Sequence, residues 1–141
     1  VRSSLKWPND VLIGGGKVSG ILIETAGSAV ILGIGINVQR HPADLPYAVT
    51  SLHEHGAEAA VGRVRNALLV ALSARLDQWE RGGFAPVRAD WLARGHPPGT
   101  RLRVRQPPLE GRFAGLDEDG ALLLDTEAGR RRIVAGEVTP G

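Results

Sequence analysis

Between Lys6 and Asn37 the chain places two lysines, one carboxylate and one carboxamide around a set of glycines: Lys6, Asp10, Lys17, Gly20, Gly33, Gly35 and Asn37. An ammonium and an amide beside a bare backbone suit a ligand that carries an anionic phosphate and a polar ring. The amide both donates and accepts. The ordinary alternative is solvated lysines and glycines that serve turns.

Three short strands joined by two tight turns would position these groups. Along Ala29 to Asn37, side chains alternate between faces. Val30, Leu32, Ile34 and Ile36 make one bulky face, and Ala29, Ile31, Gly33, Gly35 and Asn37 make the other. Two glycines at period two imply close approach to the backbone. The strand before runs from Lys17 to about Thr25. With Ala26-Gly27-Ser28 as a three-residue loop, Lys17 falls opposite Asn37, Ser19 opposite Gly35 and Ile21 opposite Gly33. With Gly15-Gly16 as the other turn, Asp10 falls opposite Ile21, on the glycine face. A slip of one residue there would send Asp10 to the far side. Gly14-Gly15-Gly16 lacks the strand–loop–helix setting and the Lys-Ser/Thr of a phosphate-binding loop, so a hairpin turn is preferred.

KWPND, then KVSGILIE, then ILGIGINV, in this order and spacing, resemble the catalytic domain of biotin protein ligases (biotin–acetyl-CoA-carboxylase ligases). Relatives that ligate lipoate share the general fold, but KWPND with GIGIN favours biotin. The resemblance implies an α+β fold. Part of a mixed-sheet catalytic domain with packed helices, like class II aminoacyl-tRNA synthetases and biotin ligases, would fill residues 1–95. An SH3-like barrel would fill 96–141.

The activity implied is ATP-dependent activation of biotin to biotinyl-5′-AMP. Transfer to a lysine of a biotin carboxyl carrier domain follows. By the same resemblance Lys17 is the catalytic lysine at the biotin carboxylate and the phosphate. Gly20 and Gly33 lie against biotin, and Asn37, Gly35 and Lys6 lie on the ATP side. Asp10 serves Mg²⁺, directly or through water. A fixed ammonium and Mg²⁺ both favour charge gathering at the α-phosphorus.

The arginine-rich glycine loop GRGRxGR that the family carries well before KWPND is not in the sequence, which opens at Val1. The expectation is therefore the C-terminal part of a longer ligase, unable by itself to make the adenylate. A non-catalytic biotin- or nucleotide-binding fragment, or part of a ligase that also represses transcription through an upstream winged helix, are the competing readings. Nucleic acid would be a partner only through such an added domain. A homodimer through sheet edges is a family possibility.

Composition sets wide bounds. The 141 residues, 43% apolar, allow one modest domain or a small one plus part of another. A net charge of +2 with a pI of 9.7 is a weak pointer to an anionic partner. Absence of cysteine excludes disulfides and thiolate metal sites. No apolar run would span a bilayer and no signal peptide is evident, so a cytoplasmic enzyme is expected.

Outside the motifs, Val1 to Leu5 is predicted to finish a strand, and Trp7 to pack in a core rather than on a ligand. Asn9 is predicted to bond nearby backbone. Val38 to Thr50, with Pro42 and Pro46, reads as a long loop near the site. Its His41 and Tyr47 are either ligand contacts or, preferably, exposed loop residues. His53-Glu54-His55 offers two imidazoles without a third ligand, predicted solvated.

A helix is predicted from Glu58 to Arg81. Its stripe of Val61, Val64, Leu68, Leu72, Leu76 and Trp79 should pack on the bulky sheet face, with Gly82-Gly83 as the stop. A short helix, Ala85 to Ala93, buries Trp91 and Leu92. After Gly95-His96-Pro97-Pro98-Gly99, strands are predicted at Arg101 to Arg105, Gly111 to Leu116, Ala121 to Asp125 and Arg130 to Val134. The arginines there, Arg101, Arg103, Arg105, Arg112 and Arg130 to Arg132, fit a nucleic-acid patch poorly because Phe113 is the one aromatic. Solvated strand faces are preferred. Contact with ATP phosphates or an acidic carrier domain is the middle option.

Overall fold

The structure is a computed structural model that describes residues 2–106 and 108–141. The fold is α+β. Among the described residues, one compact unit runs up to Leu5 and continues through Asn9–Ala71. A second contains Lys6–Pro8 and Leu72–Gly141.

In the first unit, β1 (Ser3–Lys6, its last residue grouped with the second unit), β2 (Asp10–Ile13), β3 (Gly16–Ala26) and β4 (Ala29–Ile36) form a sheet in chain order. Both turns differ from the expected ones, the first in frame and the second in length. Ile13 pairs with Gly16, so Gly14-Gly15 is the turn, with φ of 57° and 85°. Positive φ at both central residues is the type I′ geometry that matches strand twist. Ala26 pairs with Ala29, leaving Gly27-Ser28 as a two-residue loop. The expected registers are therefore each off by one: Gly20, not Ser19, faces Gly35, and Asp10 faces Gly20, not Ile21.

Such a slip would separate Lys17 from the glycine face, but a β-bulge restores it. Val11 pairs with Ser19 while Leu12 pairs with Lys17, so Val18 is the extra residue. Its side chain is buried. One added residue reverses the alternation. Lys17, Gly20, Gly35 and Asp10 end on one face.

Helix α1 (Val61–Gly82) starts later than predicted. The Ala60 carbonyl accepts from Arg63 and Val64, and Ala59 N–H turns back to Ala57. Gly83, with φ of 67°, ends it. Its stripe does not cover the bulky face of β4, which corrects the expectation. Val30 is 64% exposed, Trp79 is 55% exposed, and no α1 residue is buried. The residues of α1 divide between the two units after Ala71.

The second unit holds α2 (Phe84–Leu92) and a five-stranded antiparallel sheet, order β8-β7-β6-β5-β9, in the manner of a small SH3-like barrel. The strands are β5 (Arg101–Val104), β6 (Leu109–Leu116), β7 (Leu122–Thr126), β8 (Gly129–Ile133) and β9 (Val138–Pro140). The short β9 carries no alternating signal, yet its Val138 is fully buried. Of the predicted turn at Gln106 to Pro108, Pro107 lies outside the described residues, as does Val1.

Inward residues of alternate positions, Leu102, Val104, Phe113, Leu116, Leu122 and Leu124, form the core, with Trp91 and Leu92 packed on it. Trp7 is part of that core, and its indole N–H donates to the Gly120 carbonyl at 3.1 Å. The predicted packing role of Trp7 thus holds, within the second unit's core. The Arg88 guanidinium donates to the Leu116 carbonyl at 2.9 Å and ties α2 to β6.

Candidate functional site

The site is built on the glycine face of β2–β4. Asp10 opens β2 and is buried. Its Oδ1 lies 2.6 Å from Lys17 Nζ. The ammonium reaches it by crossing Gly20. A Cβ on Gly20 would stand 3.0 Å from Lys17 Cε and Nζ and 3.5 Å from Asp10 Oδ1. The bare Cα is therefore what leaves room for the ion pair. Gly35, opposite Gly20, has nothing within 4 Å of a would-be Cβ and leaves the floor open. Gly33 faces Leu22, in ordinary contact distance at 3.7 Å.

Two shallow hollows share this floor. One, of about 360 Å³, is lined by Lys17, Gly20, Gly35 and Asn37, with Pro42, Leu45 and Tyr47 opposite. The other, of about 500 Å³, is lined by Asn9, Lys17, Gly20, Gly33 and Gly35. Lys17, Gly20, Gly35 and Asn37 thus come together, with Asp10 beneath and Gly33 in the neighbouring hollow. Lys6 ends β1, groups with the second unit, and lines neither hollow.

Asn37 is more constrained than a free ligand group. Its Nδ2 donates to the Thr50 carbonyl at 2.9 Å and more weakly to that of Lys17 at 3.4 Å. The amide thereby closes the loop that follows β4. Lys17 N–H donates to Ala48 O at 2.9 Å and Thr50 N–H to Lys17 O at 3.0 Å, an isolated parallel bridge to Val49. These bonds hold Tyr47 beside the lysine, its ring centroid 5.7 Å from Nζ. Asn9 clamps the floor from the other side. Its Nδ2 donates to Ile21 O at 2.7 Å, and Ile21 N–H returns to Asn9 O at 2.9 Å.

The loop is pinned a second time through Glu54. Its Oε2 accepts from the Thr50 hydroxyl at 2.7 Å and from Ser51 N–H at 3.0 Å, while Oε1 lies 3.0 Å from His41 Nε2. The Thr50 hydroxyl, then the Ser51 N–H, hold the Glu54 carboxyl below its ordinary range. The Pro42 carbonyl, against partial desolvation and with help from Glu54, raises His41. His55 is half-buried and its Nε2 lies 3.0 Å from Thr50 Oγ1. It is not the solvated group predicted, whereas His53 is exposed. The Ser51-x-x-Glu54 pattern is a capping box and would have revealed this anchor in the sequence.

A larger hollow, about 790 Å³, lies on the barrel between Arg101, Arg112, Asp125 and Glu127. Size does not make it the site, because its groups already serve the fold. Arg130 forks onto Asp125 at 2.7 and 3.1 Å, and Arg112 donates to Gly99 O. Arg103 likewise pairs with Glu110, Arg105 with Glu137 and Arg132 with Asp117 and Asp119. Paired, exposed arginines support the solvated-face reading over a nucleic-acid patch.

Comparison with known proteins converges on one family. Residues 2–40 match the Biotin/lipoate A/B protein ligase family and residues 99–139 the Biotin protein ligase C terminal domain. The chain is 39% identical to a biotin–[acetyl-CoA-carboxylase] ligase of Paracoccus denitrificans, over 97% of the chain and 62% of the relative. It is 41% identical to that of Mycobacterium tuberculosis, over 97% and 53%. It is 31% identical to the bifunctional ligase/repressor BirA of Bacillus subtilis, over 100% and 47%. The apo biotin protein ligase of Aquifex aeolicus superposes with a TM-score of 0.92 at 28% identity, covering 100% of the chain and 66% of that protein. The same protein with biotin and ATP gives 0.89 at 30% identity, covering 100% and 63%. The chain spans roughly half to three-fifths of the curated relatives' length.

Proposed function

The chain belongs to the biotin protein ligase family, and from that premise we propose that it carries the lysine-bearing part of an ATP-dependent biotin–carrier-protein ligase. The observation that supports this most is the Lys17 ammonium held 2.6 Å from Asp10 above a floor without side chains. Biotin lies over Gly20 and Gly33 with its carboxylate at Lys17, and ATP lies toward Gly35 and Asn37.

In the first step a biotin carboxylate oxygen bonds to the α-phosphorus and the bond to pyrophosphate breaks. Lys17 offsets the charge gathered on the phosphoryl oxygens. In the second step an amine of the carrier attacks the acyl carbon and AMP leaves, again with its phosphate at Lys17. Asn37 acts from its tethered position, presenting the carbonyl oxygen of its amide.

Asp10 is the carboxylate toward Mg²⁺. A single buried carboxylate, already bound to an ammonium, fits an ion that arrives on the nucleotide with phosphate and water ligands. It does not fit a resident all-protein site. When bound, Mg²⁺ neutralises phosphate charge.

Residues 1–95 are the C-terminal portion of the catalytic domain and 96–141 its SH3-like companion. The partner is a biotin carboxyl carrier domain, and a homodimer through the sheet edge is compatible with the exposed β4. No helix among the described residues is long and apolar enough to cross a membrane; a cytoplasmic location accords with ATP use. The likeness to the B. subtilis ligase/repressor supports a second reading, a biotin- and nucleotide-binding part of a bifunctional repressor.

Biotin-dependent exchange of labelled pyrophosphate into ATP, measured on the full-length ligase that carries these residues, tests the first reading. Exchange above the biotin-free control is expected, and exchange lost in Lys17→Ala. Undiminished exchange in Lys17→Ala contradicts the role of the lysine.

A further inference from the structure

We propose that Tyr47 is a positioning residue for Lys17, acting through its ring face rather than by touching substrate; this rests on the ligase reading for its catalytic meaning. The ring stands 5.7 Å from Nζ, within the range of a cation over an aromatic face. The ammonium therefore has two holders, the Asp10 carboxylate at 2.6 Å and the Tyr47 ring. A salt bridge alone leaves a long, half-exposed side chain free to pivot about the carboxylate. The ring blocks one side of that arc.

The placement of Tyr47 is built in. Its neighbour Ala48 accepts the Lys17 amide, Thr50 N–H returns to the Lys17 carbonyl, and Asn37 holds the Thr50 carbonyl. The backbone of residue 17 and the loop bearing residue 47 are thus one hydrogen-bonded piece. The backbone of Lys17 fixes the loop, and the loop returns a ring to the end of the same side chain. Tyr47 itself is 47% exposed and turns its ring face to Nζ, so its ring, not its phenol, is the group in use.

Two variants separate this role from a substrate contact. In the ligand-free protein, the Lys17 Hε protons should resonate upfield because of the ring. That shift should persist in Tyr47→Phe and vanish in Tyr47→Leu. In pyrophosphate exchange, Tyr47→Leu should lower kcat about two- to fivefold, the loss of one exposed cation–ring contact, with KM for ATP little changed. Tyr47→Phe should restore it. Lys17 protons at ordinary shifts in the wild type, or unmoved in Tyr47→Leu, overturn the contact. A loss confined to KM overturns positioning in favour of substrate stacking. Absence of exchange in the full-length wild-type ligase sinks the ligase reading, while the ligand-free spectra still decide whether the ring holds the lysine.

Discussion

The two units differ in what they bury. In the barrel unit the buried residues are apolar: Leu102, Leu122, Leu124, Phe113 and Val138. In the sheet unit Asp10, Thr50 and Ser51 are buried beside Ile13, Val18 and Val38, while Leu22, Ile23, Val30 and Ile31 remain exposed. Burying polar groups is unfavourable unless they are bonded, and around Lys17 they are, to the ammonium, to Glu54 and to Asn37. The barrel is thus organised for stability. The sheet unit holds a charge and a loop in place, at the expense of apolar packing. Substitutions should divide along that line, stability in one unit and chemistry in the other.

The largest effect expected is in the barrel. Leu122→Ala, at a fully buried position, should lower unfolding free energy by about 2–5 kcal/mol in denaturant titrations. A change below 0.5 kcal/mol would break the contrast. Lys17→Ala should act first on chemistry, the exchange rate falling on the order of a hundredfold. It should also cost about 1–3 kcal/mol of stability, because the buried Asp10 carboxylate loses its ammonium.

Asn37→Ala should cost about 1–3 kcal/mol, the penalty for leaving the Thr50 and Lys17 carbonyls without their donor. Amide exchange at Ala48 to Leu52 should quicken more than in the barrel. Equal quickening in both units would mean that Asn37 serves the fold as a whole.

The smallest effect is pH-dependent. His41 is raised above its ordinary 6.5 and Glu54 lowered below its ordinary 4.5. The histidine's contribution is complete below pH 6.5 and fades as pH rises through its raised value. The contribution from Glu54 is present above pH 4.5 and fades as pH falls through its lowered value. Loop amides from Arg40 to Tyr47, after correction for intrinsic exchange, should be best protected between those limits and lose protection toward pH 8. His41→Gln should remove the alkaline change. A barrel that responded equally would blur the comparison.

Much of this was legible before the structure. Alternation placed the bulky and glycine faces of β4, the helical stripe located α1 to within a few residues, and the turn-rich tail read as short strands. The motifs carried the family. The registers were not legible, because GGG allows two turn frames and nothing in Lys17-Val18-Ser19 announces a bulge; the two errors offset one another at Asp10. Nor did the stripe of α1 reveal which residues would stay uncovered, since periodicity gives a face and not its partner. Trp7 read correctly as a core residue, but local sequence does not tell which core a residue joins. The Glu54 anchor was there to be found in Ser51-x-x-Glu54.

The glycine floor beside Lys17 is the proposed seat of the activated intermediate. Amide chemical-shift mapping of the protein titrated with a hydrolysis-resistant biotinyl-adenylate analogue reads this directly. The largest shifts are expected at Lys17, Gly20, Gly35 and Asn37, with the Leu122 and Leu124 amides unmoved. Shifts centred on Arg101, Arg112 and Asp125, or none at the four floor positions under saturation, would contradict it.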